Sequence, residues 1–245
     1  MHNHSLVKLS GEALSEKGRQ EEREHSFNGF PATGLGFLRS LKRHNTREWF
    51  VERKQVYELE VRIPMLQLVA DLTSEMWEYA PNHTLEPTRA VYRINRDTRF
   101  SEDKSPYKTH IAAIFPHRRL SKNAGASFYF NVSPDSIEVA AGIYAPESTE
   151  LRRIRQYLLS EHRRLEEIIE RIESTKSAGS LQGEQLKRIP RGFPVEHPAA
   201  EWLRRKAFYF DVRLSSDIAT SRQLFFELSK HFHLLAPLVL FLDEC

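Results

Sequence analysis

The feature that most constrains the fold is a change of hydrophobic period at Arg89. From Arg89 to Tyr144, apolar side chains recur at every second position, which is typical of β-strands. Four successive runs have this pattern: residues 89–95, 110–115, 126–132 and 136–144. Because no helical segment separates these runs, βαβ units are excluded and an antiparallel meander is expected.

Segments with helical spacing flank the meander. Upstream, Leu35, Leu38 and Leu41 fall on one side of a predicted helix, and Asn45-Thr-Arg-Glu48 has the form of a capping box. Pro64 lacks an N–H group and is predicted to open a further helix in its first turn. Downstream we predict a long amphipathic helix over residues 146–174, a short helix after residue 198, a fifth strand over residues 207–214 and helical structure over residues 217–242.

These elements predict an α+β fold and a single domain over residues 27–245. Its antiparallel meander sheet is expected to have about five strands, with helices packed mainly on one face. Residues 1–26 contain too few large apolar side chains to pack against a core, and we predict that they form a disordered polar tail.

Composition and charge limit the classes of partner. Charged residues make up 28% of the chain and hydrophobic residues 40%, and no apolar run approaches the roughly 20 residues of a membrane span. The N-terminus lacks the apolar region of a secretory signal, and the single cysteine is Cys245, so a cytoplasmic location without membrane contact is expected. A net charge of +3 permits a phosphorylated or nucleic-acid partner without requiring one.

A loop rich in charge follows the first predicted strand. An Arg fork there can grip a phosphate or a carboxylate with two parallel hydrogen bonds, and hydroxyl groups can add neutral donors. The basic residues are Arg89, Arg93, Arg96, Arg99, Lys104 and Lys108, the acids are Asp97, Glu102 and Asp103, and the hydroxyl groups are Ser101, Ser105 and Thr109. The alternative is that the basic side chains pair with these acids as a structural ion network.

A second basic loop contains Lys187, Arg188 and Arg191 before His197-Pro198. Pro198 suits the first position of a helix, where free N–H groups favour anions. Both loops therefore select the same kind of ligand, an anion, unless their cations pair with acids such as Glu196.

Alternation also divides the predicted sheet into two faces. Phe128, Phe130, Phe208 and Phe210 fall on one face, which is apolar. The opposite face is mixed and suits ligand binding: Arg93, Asn95, Tyr129, Asn131, Glu138, Tyr209, Asp211 and Arg213. On this interpretation Tyr92 shares the apolar side with Ile94. The competing interpretation is an ordinary solvated face of salt-linked pairs.

Familiar catalytic signatures are missing from the sequence. It contains no Walker A loop, no Gly-x-Gly-x-x-Gly, no Gly-x-Ser-x-Gly, no His-Glu-x-x-His and no cysteine cluster. His231 and His233 diverge by about 200° on a helix, so we predict no metal site there. Neither a cofactor nor an oligomeric state is indicated.

Two hypotheses remain. One is a binding module that grips a phosphorylated small molecule or a nucleic-acid backbone with the two basic loops. The other is an enzyme acting on a phosphorylated or otherwise anionic substrate, in which Asp97, Asp103 or His197 moves a proton or binds a divalent metal. The sequence favours binding, because these acids and the histidine show no diagnostic spacing. A compact cluster of the three would favour catalysis, whereas distant loops would indicate ordinary surface charge.

Four long motifs resemble a known family. They are the segments 37–50, from Phe-Leu to Glu-Trp-Phe; 92–109, from Tyr-Arg-Ile-Asn to Tyr-Lys-Thr; 142–146, Gly-Ile-Tyr-Ala-Pro; and 186–199, from Leu-Lys-Arg to His-Pro-Ala. In these segments the chain resembles the bacterial and fungal proteins grouped as domain of unknown function 2461, and the resemblance covers nearly everything from Phe27 onward. It implies no established activity and no catalytic residues.

Overall fold

In the computed structural model of the protein, four antiparallel strands form an open sheet in chain order. They are β1 (Ile111–Pro116), β2 (Ser127–Val132), β3 (Ile137–Ile143) and β4 (Phe208–Leu214). The predicted α+β class is confirmed, and the strand predicted over residues 207–214 is present as β4. The predicted count of about five strands is wrong by one, because the first predicted strand does not form. The structure describes residues 26–99, 102–120 and 125–245, so the predicted tail, apart from Ser26, and the candidate donor Ser101 lie outside the described residues.

Helices precede the sheet, connect β3 to β4 and follow β4. The α-helices are α1 (Ala32–Arg43), α2 (Arg47–Glu52), α3 (Lys54–Tyr57), α4 (Ile63–Met76), α5 (Pro87–Ala90), α6 (Ser148–Ser174), α7 (Ala200–Arg204) and α8 (Gln223–Asp243). A π-helical turn, Glu58–Arg62, joins α3 to α4, and 3-10 turns occupy Pro81–His83 and Ser216–Thr220.

The missing strand is the segment at residues 89–95. Pro87 starts the short helix α5 there, because its fixed φ is compatible with a first helical turn. The chain then runs along β1 without forming a ladder: Val91 makes an isolated bridge to Ala113, and the Tyr92 N–H donates to the Ala112 carbonyl over 2.8 Å. The far edge is covered similarly, since Gln182 forms an isolated bridge to Tyr209 of β4.

Pro64 shapes the N-terminal helices. It lies in the first turn of α4, as predicted, but the π-helical turn continues the helical path through it from α3. Pro64 cannot donate to the carbonyl of Glu60 four residues earlier. That carbonyl faces Gly34 of α1, where an added Cβ atom would lie only 2.1 Å from the oxygen. The pair therefore sets how closely α1 approaches this turn.

Helix α8 covers the apolar face of the sheet. Its Phe232 is fully buried and contacts Phe115, Phe128 and Phe130 of β1 and β2, with ring centroids 5.7, 5.1 and 6.3 Å apart. By length and composition α8 is able to cross a membrane, the single such helix among the described residues, but 61% of its apolar window is buried in the fold. Central helices of globular proteins pass the same test, so its apolar character is accounted for by the core.

Candidate functional site

The first basic loop is anchored at the edge of β1. Asn95 forms an isolated bridge to Tyr107, and the Arg96 N–H donates to the Pro106 carbonyl over 2.9 Å. Asn45, which precedes α2, also holds the loop: its side chain donates to the Tyr107 carbonyl (2.9 Å) and accepts from the Tyr107 N–H (3.0 Å). Asn45 is therefore not the helix cap that the sequence suggested. Thr46 caps α2 instead, with its hydroxyl accepting from the Trp49 N–H.

This anchoring creates a cationic groove beside β1. Its volume is about 480 Å³, and it is lined by Val91, Tyr92, Arg93, Asn95, Asp97 and Lys108. The Lys108 ammonium lies 4.8 Å from the centre of the Tyr92 ring and donates to the Arg93 carbonyl over 3.2 Å. Burial, followed by the charges of Arg93 and Arg96, lowers the pKa of Lys108. Positive charge is therefore concentrated here.

His110 borders the positive region on the side of the sheet, and its surroundings favour the neutral ring. Burial lowers the pKa of its imidazole, and the charges of Lys108 and Arg96 lower it further, while Glu138 opposes them. A negatively charged ligand in the groove would reduce the repulsion among these groups.

The acids of the loop are already paired. Asp97 accepts from the Arg99 side chain at 3.0 and 2.7 Å, and these hydrogen bonds are the main reason that the pKa of Asp97 falls to about 2. Asp103 pairs with Arg96 and accepts from the Ser105 N–H at 2.9 Å, and hydrogen bonding from Ser105 is the largest cause of its lowered pKa. Both carboxylates are therefore ionised partners of arginine and poor general acids.

The open face of the sheet adjoins this groove. Strand register aligns its residues in three cross-strand rows from β1 to β4. The rows are Ala112, Asn131, Glu138 and Arg213; Ile114, Tyr129, Ala140 and Asp211; and Pro116, Ser127, Gly142 and Tyr209.

Hydrogen bonds order the first of these rows. Asn131 donates to the Tyr129 hydroxyl (3.2 Å) and to the Glu138 carboxylate (2.6 Å). Asp211, in the neighbouring row, has its pKa raised by burial and then by the charge of Glu138, while Arg213 opposes the shift. The face therefore combines tyrosine rings with two carboxylates.

Tyr92 lies on this polar face, contrary to the sequence interpretation. Its neighbour Val91 pairs with Ala113, a core-facing residue, so the next side chain points to the open side. Consistently, Tyr92 is one of the groups that raise the pKa of Tyr129. The error arose because an isolated bridge, rather than a ladder, sets the orientation of this segment. Ile94 is buried, as predicted.

Three predicted cations of the first loop, Arg89, Arg99 and Lys104, do not line the cationic groove. Arg89 lines a different groove with Trp77 and Arg118. Arg99 is held by Asp97, and the exposed Lys104 donates to the Thr98 carbonyl over 3.0 Å.

The second basic loop lies toward the other edge of the sheet. Its start is fixed to the chain preceding β4 by the bridge between Gln185 and Arg205 and by the Leu186 N–H donating to the Arg204 carbonyl (2.8 Å). Lys187, Arg188 and Arg191 are exposed there. The loops thus flank opposite outer strands, three strand spacings or about 14 Å apart.

His197 occupies a position unlike the predicted one. Helix α7 begins at Ala200, so Pro198 does not open it, and with five residues the helix is short for an anion site. The Nδ1 atom of His197 accepts from the Ala199 N–H at 3.1 Å, and its ring packs edge-on against His162 of α6 at 5.7 Å. The structure therefore does not gather Asp97, Asp103 and His197 at one centre, and among the described residues no three acids, histidines or cysteines are placed to hold a metal ion.

Sequence reasoning overlooked Tyr92 and Tyr144 as ligand candidates. Tyr144 packs against Tyr209 with ring centroids 5.1 Å apart and is 74% exposed. The sequence did contain a signal for Tyr144: it lies two residues after Gly142, and alternate residues of a strand point to the same face of the sheet.

Comparison with known proteins gives a family but no activity. The family model described as "Conserved hypothetical protein (DUF2461)" matches residues 33–241. A search of curated proteins found no match. Because the family match spans the helices before the sheet, all four strands and nearly all of α8, the chain belongs to the DUF2461 family of conserved hypothetical proteins.

Proposed function

We propose that the protein is a binding module for a phosphorylated ligand and that the cationic groove beside β1 holds the phosphate. The observation that carries the proposal is that Arg93 and Lys108 line one groove, near enough to Arg96 that its charge lowers the pKa of Lys108, while Asp97 in the same groove is paired with Arg99. Guanidinium and ammonium groups bind phosphate through charge-assisted hydrogen bonds.

The geometry supports binding more than catalysis. An acid or base for phosphoester chemistry should face the bound phosphate and have a proton to exchange near neutral pH. Asp97 lines the groove, but its pKa of about 2 and its two hydrogen bonds to Arg99 keep it ionised and oriented away from that role.

The phosphate site is tested by titrating the protein with ribose 5-phosphate and with inorganic phosphate and measuring each affinity by calorimetry. Arg93→Ala and Lys108→Gln should each weaken ribose 5-phosphate binding by about tenfold or more, as expected for loss of one hydrogen bond to a charged group. Added salt should weaken binding in the unmodified protein. Arg188→Ala is the matched control, because this exposed arginine lies toward the other edge of the sheet.

Equal affinities for the unmodified protein, Arg93→Ala and Lys108→Gln would refute the groove as the phosphate site. A loss confined to Arg188→Ala would assign the anion to the second loop instead. Thermal unfolding of each variant confirms that a change in affinity does not come from loss of structure.

A further inference from the structure

A slot lined by tyrosines lies next to the cationic groove on the open face of the sheet. Tyr129 stands on one side and Tyr144 with Tyr209 on the other, and we call this space the tyrosine slot. It encloses about 550 Å³. That volume falls within the range of roughly 300–1,000 Å³ that is common for small-molecule sites.

The floor of the slot is low because β3 places small residues there. Ala140 and Gly142 lie between Tyr129 of β2 and Tyr209 of β4. Gly142 has a φ of +124°, and an added Cβ atom would lie 2.1 Å from the Phe208 carbonyl oxygen. A side chain is therefore excluded at this position, and the space above the strand stays open between aromatic walls.

The tyrosine slot and the cationic groove are neighbours through Tyr92. The Tyr92 ring is in contact with Lys108 in the groove and stands on the open face near Tyr129 of the slot. From β1 to β3 is two strand spacings, or about 10 Å. A ligand with a phosphate at one end and a ring at the other can occupy both spaces.

Charge along this path is asymmetric. Arg93 and Lys108 make the end at β1 positive. Asp211 places a carboxylate in the lining of the slot, and the charges of Glu138 and Arg213 act on it with opposite signs. A single strand of nucleic acid would bring further phosphates toward this carboxylate. A ligand with one anionic end and a neutral ring that offers N–H or hydroxyl donors fits the charges better.

We infer that the tyrosine slot binds a nucleobase, so that the ligand is a free mononucleotide. The base packs against Tyr144 and Tyr209, the phosphate binds in the cationic groove, and Asp211 accepts a hydrogen bond from the base or the sugar. This assignment rests on the proposed function, because the phosphate is the one assigned to that groove.

Calorimetric titration with four probes separates the contributions: AMP, adenosine, ribose 5-phosphate and a ten-residue oligoadenylate. AMP should bind at least tenfold more tightly than ribose 5-phosphate, since base stacking on an aromatic side chain typically changes affinity by about tenfold to a hundredfold. Adenosine should bind more weakly than AMP.

Variants of the two wall tyrosines test the slot itself. Tyr144→Ala and Tyr209→Ala should lower AMP affinity to that of ribose 5-phosphate while leaving ribose 5-phosphate binding unchanged. Tyr144→Phe and Tyr209→Phe should retain AMP binding. The Tyr144 side chain is 74% exposed, so its removal keeps the test valid even if Tyr209→Ala fails to fold.

Each other outcome is decisive. Equal binding of AMP and ribose 5-phosphate overturns the nucleobase assignment while the phosphate site survives. Binding of neither compound overturns both proposals. Oligoadenylate binding more than tenfold tighter than AMP, per nucleotide, replaces the mononucleotide with a single strand and overturns the inference.

Discussion

The Nε2 atom of His83 lies 2.7 Å from Oδ2 of Asp243, a residue 160 positions later at the end of α8. His83 is fully buried, and its Nδ1 atom lies 2.9 Å from the Phe115 carbonyl oxygen. Both ring nitrogens thus lie within hydrogen-bond distance of an oxygen atom. The pair ties the loop before α5 to α8 and β1.

Breaking this pair should destabilise the protein strongly. Removing one partner leaves the other buried without compensation, which typically costs about 3–5 kcal/mol. We expect Asp243→Asn and His83→Gln each to lower the free energy of unfolding by about 3 kcal/mol in urea denaturation. The double variant should cost less than the sum of the two single changes. A loss below about 0.5 kcal/mol in both single variants would contradict the role assigned to the pair.

Two glycines of α1 should respond oppositely to alanine. At Gly34 a Cβ atom would lie 2.1 Å from the Glu60 carbonyl oxygen, so Gly34→Ala forces α1 away from the π-helical turn and should cost more than about 1 kcal/mol. Gly36 has no such neighbour within 4 Å, and Gly36→Ala should stabilise by about 0.5–1 kcal/mol through helix propensity. Melting temperatures that move in the same direction would contradict this.

His110 should make stability depend on pH. Its pKa in the folded state is lowered, first by burial, so the unfolded chain binds the proton more readily. Its contribution is therefore fully present above the unfolded pKa of about 6.5 and is lost as pH falls below that value. We expect His110→Gln to lose less stability than the unmodified protein between pH 7.5 and 5.5 in urea denaturation. Equal losses of stability in His110→Gln and in the unmodified protein would contradict this role of His110.

Asp211 should have an effect of the opposite sign. Its pKa is raised by burial and by Glu138, so ionising it opposes folding once the pH exceeds the ordinary aspartate value of about 3.9. Asp211→Asn removes this penalty. The melting temperature of the variant, relative to that of the unmodified protein, should therefore be higher at pH 7 than at pH 3.5. A smaller advantage at pH 7 would show that Arg213 already compensates the charge.

Strand alternation made most of the sheet predictable. Phe128, Phe130, Phe208 and Phe210 alternate with polar residues, and the structure buries all four against α8 and its neighbours. Residues 89–95 show the same alternation, but Pro87 directs the start of this segment into a helical turn. The alternation of side chains does not show which backbone N–H and C=O groups will pair with another strand. In residues 89–95 only isolated bridges form.

The sequence predicted which residue types form the candidate site better than it predicted where they lie. The basic residues Arg93 and Lys108 stood out as anion ligands, yet nothing in their spacing reveals that Arg188 lies toward the opposite edge. That separation follows from the order of strands in the sheet, which depends on tertiary pairing. Pairing of Asp97 with Arg99 was one of the alternatives that the sequence left open, and it is the one that the structure shows.

The irregular segments along β1 and β4 have a further consequence for self-association. Val91 and Gln182 occupy part of the hydrogen-bonding edge of each outer strand. Exposed edges are templates for pairing with another chain, and proteins commonly cover them with loops. Because the segment on β1 also carries Arg93 of the cationic groove, changes that loosen ligand binding by releasing this segment would also open an edge for intermolecular strand addition. A ligand that holds the segment in place would then act against aggregation.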